Sequence, residues 1–178
     1  SSILEKEIEG SIRYRFTQKP SKAIEELTNY KKLKAIYSTY SFKKPKISWM
    51  ESFTRSMSKN QLIFAGHPHI DSYRHQLKFV IALEDVSKNN GPTSYLAKTQ
   101  FFNFDLLLCY FLSWIYEKRI VKGKKQFLPK KVIRKYHVNE KNLFIMKKGD
   151  LSIFDSRGIH HGSLIESGAR HLLWFYFD

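Results

Sequence analysis

His67–Val86 reads HPHIDSYRHQLKFVIALEDV, and two different patterns meet in it. The first half sets histidines and a carboxylate at alternate positions. The second half is the apolar run LKFVIAL, Leu77–Leu83, rich in Val, Ile and Phe. Side chains alternate along a strand, so residues i and i+2 share a face. His67, His69 and Asp71 therefore project to one side of an extended segment, and Pro68 and Ile70 to the other. The apolar run has strand length and predicts a buried strand. SKNNGPTSY (Ser87–Tyr95) follows, where Asn-Asn-Gly-Pro marks a turn.

Working outward, SKAIEELTNYKKLKAIYSTY (Ser21–Tyr40) places Ile24, Leu27, Leu33, Ile36 and Tyr40 at helical spacing, with Ser21 as N-cap and Glu25 and Glu26 in the first turn. SFKKPKISWMESFTRSMSKNQL, from Ser41, reads as short strands and loop. Residues 101–120 are apolar enough for a second helix, and 121–140 read as a basic surface loop. NLFIMKKGD, LSIFDSRGIHHGS and RHLLWFYFD then read as strands. No repeat or linker divides the chain. The expected fold is mainly β with flanking α-helices: one domain over 1–178, with a helical part at about 1–45 and a β core at about 61–178.

Composition narrows the function classes. The chain has 178 residues, 42% of them hydrophobic, and 14 Phe, 10 Tyr and 3 Trp, which fits a globular core rather than disorder. No apolar run reaches membrane-spanning length. The one cysteine, Cys109, excludes an intrachain disulfide framework and a thiolate zinc site. SSILEKEIEG at the start lacks a signal-peptide pattern, so a cytoplasmic protein is expected. The net charge of +15 is consistent with an acidic partner or an anionic substrate. The lysines are scattered in short clusters, however, and no nucleic-acid motif is present. A solvated lysine-rich surface is the plainer reading.

The His-x-Asp pair offers one divalent ion an imidazole nitrogen and a carboxylate oxygen. A third ligand has to come from elsewhere, and the candidates are His137, His160, His161 and His171. GDLSIFDSRGIHHGS (Gly149–Ser163) favours the adjacent pair His160 and His161, which lie beside glycine on a strand. Two histidines and one carboxylate leave open metal positions, the arrangement of non-haem Fe(II) oxygenases. Zinc is chemically compatible with the same ligands. Arg170 stands ten residues past His160, across the turn SLIESGA, which would form a hairpin. It shares a strand face with Leu172, Trp174 and Tyr176. A guanidinium pointing into an apolar interior needs an anionic partner, and a bound dicarboxylate supplies one through bidentate hydrogen bonds. Each feature alone has a plainer reading, as a surface pair, a structural histidine or a solvent-facing arginine. Their order along the chain is less easily explained that way.

HID, then QLKFVIALEDVSKNNGPTSYLA, then KKGDLSIFDSRGIHHGS, then the Arg of GARHLLWFYF resemble the phytanoyl-CoA dioxygenase family of Fe(II)/2-oxoglutarate-dependent oxygenases. The likeness runs from about residue 61 to the end, with the helix at 21–40 included. It implies a double-stranded β-helix, a cupin-like jelly roll with a metal at its mouth. It implies His69, Asp71 and His160 as iron ligands, and Arg170 as the partner of the distal carboxylate of 2-oxoglutarate; no catalytic residue is implied beyond the ligands. It further implies a reaction in which O2 and 2-oxoglutarate hydroxylate a small-molecule substrate and yield succinate and carbon dioxide. Asp71 favours hydroxylation, since related halogenases lack this carboxylate.

The chain departs from the family pattern at AKTQ (Ala97–Gln100), where the family often carries Pro-Gly-Ser-His. Spacing from Phe154 and the interval to Arg170 favour His160 over His161, which alternation aims outward. His67 with His69 forms a cupin-like His-x-His, but no glutamate follows at Asp71–Arg74, so that site is the weaker reading. His67 and His75 fit neighbouring or structural roles. Two other function classes compete: a non-catalytic basic jelly-roll module binding nucleic acid or another polyanion, and a non-redox metal-dependent cupin-type enzyme. Salt-dependent polyanion binding marks the first, and metal identity marks the second. Neither the substrate nor the oligomeric state is encoded in a motif.

Overall fold

The computed structural model describes residues 2–4, 11–16, 22–40, 47–55, 68–71, 76–101, 104, 107, 108, 111 and 142–177. Eight strands and two helices lie within them: β1 (Ser2–Leu4), β2 (Ser11–Phe16), α1 (Lys22–Thr28), α2 (Lys31–Tyr40), β3 (Ile47–Arg55), β4 (Leu77–Ala82), β5 (Thr93–Tyr95), β6 (Leu151–Asp155), β7 (His160–Gly162) and β8 (Ala169–Phe177). Six strands form an antiparallel sheet in the order β1-β2-β3-β8-β4-β6. β5 and β7 pair in a second sheet. Single bridges extend it on both sides, His69 to His160 and Ser94 to Leu143.

From β3 onward the chain alternates between these layers. β3 lies in the large sheet, His69 in the second, β4 in the large, β5 and Leu143 in the second, β6 in the large, β7 in the second and β8 in the large. β4 is central, hydrogen-bonded to both β6 and β8. This explains why LKFVIAL is apolar on both faces. Leu77 and Phe79 pack with Leu33, Tyr37, Leu173 and Phe175 on the helix side. Val80 and Ala82 pack with Val86, Tyr95, Met146, Phe154 and Leu172 on the other.

Three expectations need correction. Strands are not confined to the β core after residue 61 and the short strands expected from Ser41, because β1 and β2 fall inside the segment expected to be helical and join the large sheet through β3. The helix expected at 21–40 breaks after Thr28, and the break resets its phase. Leu33, Tyr37 and Tyr40 form the inward face of α2, while Ile36 is exposed. The segment after His160 is also no hairpin, since β7 and β8 lie in different sheets. Residues 163–168 instead run along Asn89–Pro92, with Ser163 N–H donating to Pro92 O and Glu166 N–H to Asn89 O. The helix expected at 101–120 agrees with the helical Phe104, Leu107, Leu108 and Phe111, Phe101 lies in a bend before it, and the rest of that stretch lies outside the described residues, as does 121–140. Among the described residues, no helix is long and apolar enough to cross a membrane.

A candidate metal centre beside the second sheet

The bridge between His69 and His160 builds the site. Each backbone N–H donates to the other residue's carbonyl at 3.0 Å. This antiparallel exchange brings two segments 91 residues apart side by side, with their rings 4.6 Å apart. Two residues further on, the N–H of Asp71 donates to Ser156 O. Ser156 is fully buried and holds Gln76 twice, through its N–H to Gln76 O and its hydroxyl to Gln76 Oε1. The stretch carrying the His-x-Asp pair is thus tied to β7 at His69 and to the turn after β6 at Asp71.

His69, Asp71 and His160 each offer one ligand atom, and these atoms lie within 4.8 Å of one another. His160 Nε2 lies 3.0 Å from Asp71 Oδ2, and His69 Nε2 lies 3.6 Å from Asp71 Oδ1. His160 Nδ1 is 2.8 Å from the carbonyl of Gly158, which can only accept, so Nδ1 carries the proton. Nε2 is thus the nitrogen directed at Asp71, and with a metal ion between them it is Nε2 that would ligate. Two imidazole nitrogens and one carboxylate oxygen, with no thiolate, form a donor set that fits Fe(II), and its spacing fits metal–ligand bonds of about 2.1 Å after small adjustments.

Asp71 is held as a carboxylate. Burial by itself would push its pKa up. The Lys78 ammonium, the hydrogen bond with His160 and the nearby His69 outweigh burial and hold the carboxyl well below the usual carboxylate range. Lys78 projects from β4 to the inter-sheet side, is 7% exposed, and pairs with Asp71 Oδ2.

Several supporting residues were not singled out in the sequence. The Thr99 hydroxyl accepts the N–H of Ile159, directly before His160, and donates to Leu96 O. Thr99 belongs to AKTQ, the stretch that departs from the family pattern. Asp155 Oδ1 accepts the backbone N–H of Arg157 at 2.9 Å, an Asx-type turn that closes β6 toward β7. Its carboxylate also holds the Arg157 side chain and the hydroxyl of Tyr40 at the end of α2. Gly158 is required by space, because a Cβ there would fall on the ring and hydroxyl of Tyr95. Burial pushes the Tyr95 phenol up to about 12, with Arg157 opposing the shift.

Arg170 is buried, and its Nη1 donates to Gly91 O. It lies on the same face of β8 as Leu172 and Trp174, which pack in the inter-sheet cluster, as alternation predicts. Gly91 has a φ of +79°, and a Cβ there would meet the Ile165 side chain, so glycine suits this position twice over. Of the other histidines, His161 is half-buried with Nδ1 3.2 Å from Gly162 O, and His171 packs edge-on against Phe53 with ring centroids 5.4 Å apart. Neither belongs to the three-residue cluster. His67, His75 and His137 lie outside the described residues. A cavity of about 610 Å³ is lined by Tyr40, Tyr95, Phe144, Phe154 and Arg157 among others, and none of the three candidate ligands lines it. Phe154 lines it and also packs against the His160 ring, with centroids 5.2 Å apart.

No protein-family model matches the sequence, and no curated protein does. Solved structures do. The epimerase SnoN in complex with Fe3+, alpha ketoglutarate and nogalamycin RO aligns over the whole chain and 68% of its own, with a TM-score of 0.66 and 12% identity. HygX from Streptomyces hygroscopicus, with nickel, 2-oxoglutarate and hygromycin B bound, aligns over 95% of this chain and 70% of its own, with a TM-score of 0.61 and 12% identity. EvdMO1 aligns over 93% of this chain at a TM-score of 0.60 and 14% identity, but this chain spans only 35% of its length. At these identities the likeness shows the fold: mixed strands and helices, with sheets resembling those of HygX and SnoN.

Proposed function

We propose that the chain is an Fe(II)- and 2-oxoglutarate-dependent oxygenase that hydroxylates a small molecule. His69, Asp71 and His160 hold the metal, and Arg170 receives the distal carboxylate of 2-oxoglutarate. The observation that carries this reading is the convergence of the three ligand atoms within 4.8 Å, at a bridge between strands far apart in sequence. The alternation of the chain between two layers from β3 to β8 supports a double-stranded β-helix, and with it one catalytic domain over 1–178. The bound groups of SnoN and HygX support the choice of metal and cosubstrate.

Iron and 2-oxoglutarate bound there would supply the oxidising power for O2-dependent hydroxylation. The chain's own residues do the holding. Gly158 O fixes the His160 tautomer, Ser156 O fixes the Asp71 backbone, and the Thr99 hydroxyl fixes the peptide before His160. The buried guanidinium of Arg170 matches a carboxylate in charge and shape. The cavity that Phe154 lines is in the volume range of small-molecule sites.

The test is release of labelled carbon dioxide from 2-oxoglutarate labelled in its 1-carboxylate. The Fe(II)-loaded protein should release it slowly without substrate and at least tenfold faster with one. Because SnoN is an epimerase, the product is checked with isotopic dioxygen: hydroxylation carries the label into the product and epimerisation does not. No release from the iron-loaded protein across a broad substrate panel would overturn the reading.

A further inference from the structure

Lys78 is a charged residue in a strand that is otherwise apolar, and its place there is unusual. Its neighbours Leu77 and Phe79 pack toward the helices, whereas Lys78 faces Asp71. Its ammonium lies 5.9 Å from the ring of Phe154, 5.7 Å from Trp174 and 5.1 Å from Tyr176. Phe154 on β6 and Trp174 and Tyr176 on β8 flank the ammonium from both neighbouring strands, and it also contacts the Asp71 carboxylate. A divalent ion held by Asp71 would share that carboxylate with an ammonium, and like charges side by side repel. A lysine kept at this point weakens metal binding unless an anion arrives with the metal. Arg170 does not account for that anion. Lys78 is level with Tyr176 in the sheet, six residues along β8 from Arg170, so Arg170, assigned above to the distal carboxylate, is not the cation in contact with Asp71. The Arg170 guanidinium ends instead on Gly91.

We propose that Lys78 is an anion-binding residue of the metal site, receiving a carboxylate or similar anionic group that binds beside the metal. The inference rests on the oxygenase reading. The group has two possible sources: the metal-end carboxylate of the keto acid, or an anionic group on the substrate. In either case the Lys78 ammonium favours an anionic ligand over a neutral one, and the basic surface of the chain favours it on approach.

Anaerobic calorimetry tests this with Mn(II) as the metal. The loaded protein is then titrated with 2-oxoglutarate and with 2-oxobutyrate, which lacks the distal carboxylate. In a second arm the Mn(II)·2-oxoglutarate complex is titrated with phenylacetate and its neutral partner phenylacetamide. The unaltered chain is compared with Lys78→Met, Lys78→Gln and Lys78→Arg, so that one neutral variant suffices if the other does not fold. The neutral variants should bind Mn(II) alone at least as tightly, since a repelling charge is gone. They should lose at least tenfold in one anion arm. Equal losses for both keto acids identify the keto acid as the source. Unchanged keto-acid affinity, with a phenylacetate preference that falls from at least tenfold to about one, identifies the substrate. Lys78→Arg should keep most of the lost affinity. Weaker Mn(II) binding by the neutral variants, the mark of a lysine that only holds Asp71, overturns the proposal, as do two unchanged anion arms. An unaltered chain that binds neither Mn(II) nor keto acid overturns the oxygenase reading itself.

Discussion

Leu77 and Phe79 turn to one side of β4, and Lys78, Val80 and Ala82 to the other. On the first side they meet Leu33 and Tyr37 from α2 and Leu173 and Phe175 from β8, a wholly apolar cluster. On the second side Val80 and Ala82 enter the inter-sheet core while Lys78 ends on Asp71, beside His160 and His69. One strand thus carries a face that holds the fold and a face that serves the candidate metal centre, separated by the alternation of the backbone. The lesson is that burial alone does not mark a site. Phe79 is more buried than Lys78, but only Lys78 brings a charge whose burial has to be matched by chemistry.

Substitutions on the two faces should separate accordingly. Phe79→Ala should have the largest effect on stability, about 3–5 kcal/mol, because it opens a cavity in the helix-side cluster. Urea unfolding measures that loss, and metal affinity of the folded protein should stay within about twofold. A large change in metal affinity would break the separation between the faces. Gly158→Ala should have a smaller effect on stability, about 1–3 kcal/mol, since the new methyl must displace Tyr95. It should also weaken metal binding several-fold, because Gly158 O fixes the His160 ring. A Gly158→Ala protein with unchanged metal affinity would show that this turn does not position His160.

The sequence and the structure agree most closely where local periodicity carried the information. Alternation puts His69 and Asp71 on one side and favours His160 over His161, and the same parity puts Arg170 with Leu172 and Trp174. His69, Asp71 and His160 come together, and Leu172 and Trp174 enter the inter-sheet core, while Arg170 donates to Gly91 O. Lys78 escaped notice because a strand buried on both faces shows no polar alternation against which a single lysine stands out. Thr99 escaped notice because its partner, the Ile159 N–H, is 60 residues away and nothing local marks the pair. The cluster of Tyr40, Asp155 and Arg157 is equally non-local, with the end of a helix meeting the end of a strand. The supposed hairpin between β7 and β8 failed for the opposite reason. Sequence nearness suggested pairing, but residues 163–168 find their partners in Asn89–Pro92. β2 does carry a strand signal, the alternation of Ile12, Tyr14 and Phe16 with Ser11, Arg13 and Arg15, and it pairs with β3. The three-residue β1 has no such pattern and is held by β2.

The central claim is that one ion is gripped by two imidazoles and one carboxylate supplied by distant segments. The most direct test is the anaerobic visible spectrum of the protein with Fe(II), recorded before and after 2-oxoglutarate is added. One iron per chain should bind, and a weak charge-transfer band should appear with the keto acid. The band should vanish in His69→Ala, Asp71→Ala and His160→Ala and persist in His161→Ala and His171→Ala. A band that survives the loss of His160 or Asp71, or that requires His161 in place of His160, would contradict the account.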